Sequence, residues 1–401
     1  MTTGSIIVQK YGGSSLADVQ HLGYVADRVV ATRRAGHSVV VVVSAMGKTT
    51  DGLLALAKQA AQTDDQVEGE APRRELDMLV STGERISMSL LSIAIQARGI
   101  DAISFTGSQS GLITNDRHFD ARIIEVRPHR IEDELARGRV VIVAGYQGMS
   151  YKREITTLGR GGSDTTAVAL AAALGAERAE IYSDVDGVYS ADPRSVSDAQ
   201  HLPEIDCDTL EQMAHGGAKV LCEQAVEWAR KAGIAVYARK TFDPPNQVSR
   251  ETVIRKFAPE ERPRARAVTC DSQVAWVRCE EETVLDAVVE TVRGTGASLR
   301  ELWRGAGAGV LLSLRNAPNW SEIRARLVGI EGATVVDPVA FVSVVGNDLT
   351  TDLAHLDDFH ACLKGVDIHA TLAMPLRISA IIAPDKAGEA QRELHAIFVG
   401  S

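Results

Sequence analysis

Five consecutive valines, Val39 to Val43, are the feature that most restricts how this chain can fold. A run of β-branched residues favours a strand, and the lack of alternating polar residues predicts burial on both faces. Strands of that kind belong to parallel sheets that carry helices on both sides. The run therefore predicts an α/β domain.

The neighbouring segments extend this prediction over about the first 250 residues, in which strand and helix signals alternate. Residues 18–34 have helical periodicity and end near Gly36, a residue suited to a helix C-terminus. Further strands are predicted at residues 5–10, 101–105, 140–145 and 179–185. Alternation of this kind indicates a mostly parallel sheet with helices on both faces.

Composition narrows the class of protein. The chain has 401 residues, enough for two or three domains, and its net charge of −10 argues against a nucleic-acid partner. The five cysteines form no CxxC pair, which fits free thiols in a reducing compartment. There is no signal-peptide pattern, and the apolar runs are too short to span a membrane. We expect a cytoplasmic protein with no membrane partner.

The segment SAMGKTTDGL, residues 44–53, imitates a nucleotide-binding P-loop because it follows a buried strand and contains Gly47, Lys48 and Thr49. A P-loop also needs a glycine five residues before the second one, so that backbone N–H groups can surround the phosphates. That position is Val42, in the middle of the predicted strand. A phosphate site must therefore lie elsewhere.

One better candidate is VQKYGGSSLAD, residues 8–18. A strand ends at Lys10, Gly12 and Gly13 allow a tight turn, and a helix is predicted to open near Ser14 or Ser15. Helix N-termini present free N–H groups and partial positive charge to anions. A plain strand–turn–helix with a solvated lysine is an equally good interpretation of the spacing alone.

The second candidate is TTLGRGGSDTTAVALAAALG, residues 156–175, in which three glycines surround Arg160. Ser163, Asp164 and Thr165 follow as a capping region before an alanine-rich helix. An arginine in such a loop suits bidentate contact with a carboxylate. An ordinary capped helix explains the serine and the aspartate, but it does not explain the three glycines.

A third segment, YSDVDGVYSADPR at residues 182–194, places Asp184 and Asp186 at a strand end. Carboxylates at i and i+2 of an extended segment point the same way, so they could serve hydrated Mg²⁺ or ribose hydroxyls. The alternative is a common turn rich in aspartate and glycine.

The composition changes in residues 241–267, where prolines and charges crowd together, and a domain boundary is predicted there. Beyond it, segments that begin at Val274 and Val339 each start the order strand–helix–strand–strand–helix–strand. This is the ferredoxin-like plan. Two such units suggest a sensing or pairing module, and plain packing units explain the pattern equally well.

Together these segments resemble the aspartate kinases of the amino-acid kinase superfamily. The resemblance covers about the first 240 residues and rests on motifs that occur in the family's order: KYGGSS, SAMGKTTDGL, LVSTGERIS, SFTGSQSG, VAGYQGMS, TTLGRGGSDTTAVALAAALG, YSDVDGVYSADPR and GGAKVL. It implies a three-layer amino-acid kinase sandwich with a mainly parallel sheet in residues 1–248. A tandem ferredoxin-like (ACT) α+β regulatory region follows, with units at residues 264–332 and 333–401.

The resemblance also implies an activity, the phosphorylation of the L-aspartate side-chain carboxylate by ATP to give 4-phospho-L-aspartate. This is the first step toward lysine, threonine and methionine. The implied cosubstrate is ATP, with Mg²⁺ as the metal, although no residue is assigned as a metal ligand. A homo-oligomer formed through the ACT-like units is expected.

The family's functional residues carry over by motif position. Catalysis is assigned to Lys10 and Asp164. Glu84 is expected to receive the substrate ammonium and Arg160 the α-carboxylate, and the substrate-binding set is completed by Thr50 and Ser163. The positions assigned to the nucleotide are Lys10, Tyr11, Gly12, Gly13, Ser183, Asp184, Tyr189, Arg194 and Lys219.

The chain departs from the family mainly in its second half. The segments CEEETVL and GNDLTTDLAH lack the proline–glycine turn common in ACT units, and residues 372–379 read LAMPLRIS where the family has STSEIRIS. Weakened feedback inhibition by lysine and threonine is therefore our hypothesis. In the catalytic half, Lys48 and Gly52 replace acidic residues of the family, and their effect on substrate affinity is left open.

Two other functions stay open at this point. One is a kinase that acts on a related carboxylate substrate. The other is a non-catalytic regulatory paralogue, which would be expected to lack Lys10, Arg160 or Asp164. All three residues are present.

Overall fold

The computed structural model describes residues 4–61, 71–218, 220–244, 248–258, 266–293, 295, 297–305, 307–315, 317 and 319–400. The chain divides into two compact units. The first contains residues 1–188, 203–207 and 220–262, and the second contains residues 189–202, 208–219 and 263–401.

The described strands are β1 (Ile6–Tyr11), β2 (Ser38–Val43), β3 (Ala102–Phe105), β4 (Leu112–Thr114), β5 (Ile123–Val126), β6 (Val140–Ala144), β7 (Gln147–Ser150), β8 (Ile155–Thr157), β9 (Arg178–Ser183), β10 (Val188–Tyr189), β11 (His201–Leu202), β12 (Glu204–Asp206), β13 (Ala235–Lys240), β14 (Glu251–Arg255), β15 (Ala267–Cys279), β16 (Ser298–Trp303), β17 (Gly309–Ser313), β18 (Ala333–Val345), β19 (Ile368–Met374) and β20 (Arg377–Ile382). The described helices are α1 (Val19–Arg34), α2 (Thr49–Ala60), α3 (Arg73–Gln96), α4 (His129–Ala136), α5 (Gly162–Ala173), α6 (Cys207–His215), α7 (Glu223–Ala232), α8 (Glu282–Val292), α9 (Trp320–Val328), α10 (Ala354–Cys362) and α11 (Ala387–Phe398).

An eight-stranded sheet forms the centre of the first unit, in the order β12-β14-β13-β9-β1-β2-β6-β3. Every neighbouring pair in it is parallel except β13 and β14. A smaller sheet has the order β5-β4-β7-β8. The predicted α/β fold with a mainly parallel sheet is confirmed.

The valine run lies in β2, where all five valines are fully buried. Val39, Val41 and Val43 belong to the core that α1 and α3 close on one face of the sheet. Val40 and Val42 alternate to the other face, on which α5 packs. The absence of polar alternation in the sequence therefore reflects helices on both sides of this strand.

The helix predicted over residues 18–34 is confirmed as α1, but it does not open near Ser14 or Ser15. Residues Ser14–Leu16 form only a single 3₁₀ turn, and α1 starts at Val19. Asp18 is extended and caps α1, since its side chain accepts a hydrogen bond from the His21 N–H. The prediction of a helix that opens near Ser14 or Ser15 is corrected in this respect.

Among the described residues, α3 alone is long and apolar enough to pass a length-and-composition test for a membrane span. Half of the window that passes is buried inside the protein. A core helix of a folded domain meets the same test, and α3 packs against α1 and β6.

The second unit contains a six-stranded sheet with the order β16-β17-β15-β18-β20-β19. The long strands β15 and β18 lie side by side at its centre, antiparallel, with 13 residues each. Helices α8 and α9 close one apolar core, and α10 and α11 close another.

The two ferredoxin-like patterns in this sheet are interlocked. The first pattern runs from the second half of β15 through α8, β16, β17 and α9 into the first half of β18. The second pattern runs from the second half of β18 through α10, β19, β20 and α11, and its fourth strand is the first half of β15. Each pattern thus shares both central strands with the other. The domain limits drawn from the sequence stay a prediction.

Candidate active site

The carboxyl end of β1 carries a buried ion pair. Lys10 Nζ lies 2.6 Å from Oδ1 of Asp164, and the two side chains are only 11% and 12% exposed. Asp164 is in the first turn of α5, so the pair joins the end of a central strand to the start of a helix. The pairing offsets the cost of burying each charge and directs the ammonium.

The Gly12–Gly13 turn lies directly beside that ammonium. A Cβ at Gly12 would lie 3.7 Å from Lys10 Nζ, and one at Gly13 would lie 2.9 Å from the carbonyl oxygen of Ala45. The Gly47 N–H donates to the Gly13 carbonyl at 3.0 Å. The structure therefore brings the KYGGSS and SAMGKTT segments together.

The lysine of the P-loop-like segment does not lie in a phosphate-binding loop. Lys48 is exposed and precedes α2, and Val42 lies fully buried within β2. Thr50, in the first turn of α2, is half-buried. The P-loop interpretation, which the sequence spacing rejected, finds no support in this geometry.

Glu84 is the second charged group at this edge. It lies on α3, is 3% exposed, and its Oε1 accepts the Ala45 N–H at 3.1 Å. Its Oε2 is buried and has no hydrogen-bond partner within the described part of the chain. Burial raises the pKa of this carboxyl to about 7. An unpartnered buried oxygen of this kind suits a cationic ligand.

The glycine-rich loop before α5 uses backbone conformations that favour glycine. Gly159 and Gly161 have φ of 72° and 76°, and the side chain of Arg160 between them is exposed. A Cβ at Gly161 would lie 2.6 Å from the Cβ of Cys222. Burial raises the pKa of the Cys222 thiol to about 11, so the thiol stays protonated and donates to the Gly161 carbonyl.

The start of α5 differs from the predicted capping region. The N-cap is Gly161, with no side-chain hydrogen bond, and Ser163 and Asp164 are first-turn residues. Asp164 lies inside the helix rather than at its N-cap, and its side chain pairs with Lys10. Ser163 packs against Gly145, where a Cβ would lie 2.9 Å from its Oγ.

The predicted nucleotide positions fall into three groups. The end of β9 adjoins the glycine turn, since the Gly12 N–H donates to the Tyr182 carbonyl at 3.3 Å, and Ser183 and the exposed Asp184 follow. Tyr11, also assigned to the nucleotide, is fully buried and its ring stacks on Tyr182 at 4.8 Å. The ring therefore packs in the core, and the assignment of Tyr11 to the nucleotide stays a prediction.

Three predicted nucleotide positions remain, Tyr189, Arg194 and Lys219. Tyr189 and Arg194 belong to the second compact unit. Tyr189 contacts the His201 ring edge-on, and the exposed Arg194 bonds to Asp192 through two nitrogens. Lys219 lies outside the described residues.

Two groups near the site escaped the sequence analysis. Tyr146 has φ of 68°, a conformation that no sequence signal announces, and its ring lies beside Gly162. Asp77 is fully buried two turns before Glu84 on α3, and the spacing of seven residues is a signal that could have found it.

Comparisons with known proteins agree with the motifs. The model of the amino acid kinase family matches residues 5–239. An aspartokinase of Mycobacterium tuberculosis is 50% identical over 275 residues, which cover 68% of this chain and 63% of that protein. An aspartokinase of Mycolicibacterium smegmatis is 38% identical over 420 aligned positions, which cover 98% of this chain and 96% of the relative.

Among solved structures, Escherichia coli aspartokinase III in complex with aspartate and ADP (R-state) is similar with a TM-score of 0.84. The match covers 99% of this chain and all of that one at 24% identity, and it supports the fold.

The burial of Glu84 leads to a stability prediction. Because its pKa in the folded protein, about 7, lies above the ordinary 4.5, the cost of ionising it is absent below pH 4.5 and complete above pH 7. The cost is on the order of 3 kcal/mol. Glu84→Gln, whose amide oxygen can still accept the Ala45 N–H, should therefore raise the thermal midpoint at pH 8.

The gain should shrink as the pH falls toward 4.5, which thermal scans across this range measure. The control is Glu290→Gln, which makes the same change at an exposed glutamate. An equal effect of Glu84→Gln at pH 5 and pH 8 would contradict the assignment of the buried charge.

Proposed function

The chain belongs to the amino acid kinase family, among its aspartokinases, and from that premise we propose that it transfers the γ-phosphoryl group of ATP to the side-chain carboxylate of L-aspartate. The products are 4-phospho-L-aspartate and ADP. In the aspartate pathway of amino-acid biosynthesis, this reaction precedes the branches to lysine, threonine and methionine.

One observation carries the proposal. At the carboxyl ends of the strands, a chain of neighbouring contacts connects the Lys10 ammonium with the Glu84 carboxylate. The Gly12–Gly13 turn lies beside the Lys10 ammonium and packs closely against Ala45, and Ala45 donates its N–H to Glu84. Asp164 links Lys10 to the helix that follows the Arg160 loop. Phosphate oxygens suit the first group, and an α-amino acid suits Glu84 and Arg160.

The reaction needs neutralisation of negative charge rather than a general base. The attacking carboxylate has a reference pKa near ~4 and is already ionised at pH 7. The obstacle is its approach to a polyanion, so catalysis should rest on positioning and on neutralisation of negative charge. Lys10 would neutralise phosphate charge while Asp164 holds it in place. A bond forms between the carboxylate oxygen and the γ-phosphorus as the bond to ADP breaks.

The substrate side of the site would bind both the α-ammonium and the α-carboxylate of aspartate. Glu84 would receive the ammonium at its free Oε2, and Arg160 would hold the α-carboxylate. Bringing an ammonium to Glu84 also stabilises its ionised form, which burial alone disfavours. Thr50 and Ser163 would complete the substrate site.

Mg²⁺ would accompany the nucleotide and neutralise phosphate charge. The carboxylates that could hold it are those of Asp184 and Asp186, after β9. In the part of the chain that is described, no three or more acidic, histidine or cysteine side chains gather into a metal site. This suits Mg²⁺, which usually takes one or two carboxylates together with phosphate oxygens and water.

Assembly and regulation are proposed from the second unit. Homo-oligomers through the ACT-like units stay our expectation, supported by a sheet whose edge strands β16 and β19 pair on one side only. The location in the cytoplasm likewise stays a prediction. We also propose weakened feedback, because Met374 and Pro375 replace Ser and Glu of the family pattern. Met374 ends β19, and Pro375 begins the turn to β20.

The first test concerns Lys10. Lys10→Ala should lower turnover of aspartate with ATP by at least ~10²-fold, the scale of losing one preorganised charge contact. A hydroxamate assay of the acyl phosphate measures it. As a control, Lys48→Ala removes the exposed lysine of the P-loop-like segment, and its turnover should be close to that of the unchanged protein. Near-normal turnover of Lys10→Ala would refute the role.

The second test concerns Arg160. Arg160→Ala should raise the KM for aspartate by roughly 10-fold or more, as expected for the loss of charged hydrogen bonds, and should leave the KM for ATP unchanged. Arg137→Ala, which changes a side chain that is 63% exposed, is the control. A panel of carboxylate substrates in the same assay separates aspartate from related acids. An unchanged aspartate KM would exclude the contact.

The third test addresses feedback. Lysine and threonine, added singly and together at sub-millimolar concentration, should leave the turnover of aspartate nearly unchanged. Clear inhibition under these conditions would sink the weakened-feedback proposal while leaving the catalytic proposal intact.

A further inference from the structure

The fully buried carboxylate of Asp77 connects three separate segments of the first unit. Its Oδ1 accepts the Thr157 hydroxyl at 2.5 Å and the Phe119 N–H at 3.0 Å. Its Oδ2 lies 2.6 Å from Nδ1 of His118. A carboxylate is an acceptor only, so three donors around it satisfy much of its hydrogen-bonding capacity. The group is held firmly without contact with solvent.

Asp77 lies on the same helix as Glu84. Seven residues of an α-helix make nearly two turns, so both side chains leave α3 on the same face, about 10 Å apart along its axis. Glu84 lies at the strand ends beside Ala45, and Asp77 lies nearer the start of the helix. The helix therefore carries both carboxylates as a rigid spacer.

Thr157, which donates its hydroxyl to Asp77, links α3 to the segment before the Arg160 loop. It ends β8, and Arg160 follows three residues later in the glycine-rich loop. The Leu158 N–H between them donates to the Tyr146 carbonyl at 2.9 Å, so the exit from β8 is fixed as well. Gln147 strengthens the same junction, since its amide donates to the Ser81 carbonyl on α3 at 2.9 Å.

We propose that Asp77 is a positioning residue that sets the separation between Glu84 and the Arg160 loop, and thereby the affinity for the α-ammonium and α-carboxylate of the substrate. The inference rests on the proposed function, because it assigns those two groups to one ligand. The bond between Asp77 and Thr157 is the connection between helix and loop. Its loss should weaken binding of the amino acid and leave binding of ATP unaffected.

The neighbouring threonine provides a matched control. Thr156 is also fully buried on β8, and its hydroxyl lies 2.6 Å from that of Thr114 rather than beside α3. Thr156→Val and Thr157→Val are the same isosteric change at adjacent positions of one strand. Both remove a buried hydrogen bond, but only the second cuts the connection to Asp77.

The experiment measures the KM for aspartate, the KM for ATP, turnover and the thermal midpoint of the full-length protein. Thr157→Val should raise the aspartate KM about 10-fold to 100-fold, the scale of a hydrogen bond to a charged group, with the ATP KM within about twofold. Thr157→Ser, which keeps the hydroxyl, should restore it. Thr156→Val should change stability without this KM split.

A double-mutant cycle and a third site sharpen the test. Asp77→Ala and Thr157→Val should each raise the aspartate KM, and the double variant should do little more than either, because both remove the same bond. Asp77→Asn keeps an oxygen that can accept from Thr157 and should retain most of the affinity. The Tyr146 phenol also hydrogen-bonds the Thr157 side chain, and Tyr146→Phe removes that contact alone.

The outcomes separate the two proposals. If the unchanged protein forms no acyl phosphate from aspartate, the proposed function fails and this inference fails with it. If the unchanged protein is active, three results would overturn the inference alone. These are an unchanged aspartate KM in Thr157→Val, an equal KM rise in Thr156→Val, and full reproduction of the effect by Tyr146→Phe.

Discussion

The candidate site depends on one buried ion pair, that of Lys10 and Asp164. Each side chain is almost removed from water, and neither charge could be buried alone without a cost of several kcal/mol. The pair requires β1 to end and α5 to begin at the same place. The left-handed conformation of Gly161 allows α5 to start there, and Gly12 leaves room beside the ammonium. The positive charge is therefore fixed before any ligand arrives.

Glu84 follows the opposite principle. Its carboxylate is buried with one oxygen bonded to Ala45 and the other without a partner among the described residues, and burial raises its pKa to about 7. Such a group lowers the stability of the folded protein at neutral pH and above, and a cationic ligand would remove that penalty. The paired charge of Lys10 provides rigidity, while the carboxylate of Glu84 keeps one oxygen available for a ligand, as the proposed function requires.

Much of this architecture could be predicted from the sequence, because the signals are local. The valine run and the alternation of strands and helices indicate a parallel sheet, and the glycines around Arg160 indicate a special loop. The helical periodicity of residues 18–34 also predicted α1 correctly, whereas Ser14 and Ser15 form only a 3₁₀ turn before it. The first turn of α5 differs from the predicted capping region, since Gly161 is the N-cap and Asp164 pairs with a lysine that is distant in sequence. Long-range pairs of this kind, including Asp77 with Thr157, leave no periodic signal.

In the second unit, one arginine joins both interlocked patterns. Arg377 begins β20, is 2% exposed, and its guanidinium donates to Glu301 on β16 and to Ser379. It also donates to Gln212 on α6, while His215 contacts the same Glu301. Arg377 lies in residues 372–379, where it matches the family pattern and directly follows the positions that depart from it. The Arg377 guanidinium already donates to groups of this unit. If it bound an effector carboxylate instead, Glu301 would stay buried with one cation fewer. That competition supports our proposal that this segment responds weakly to amino acids.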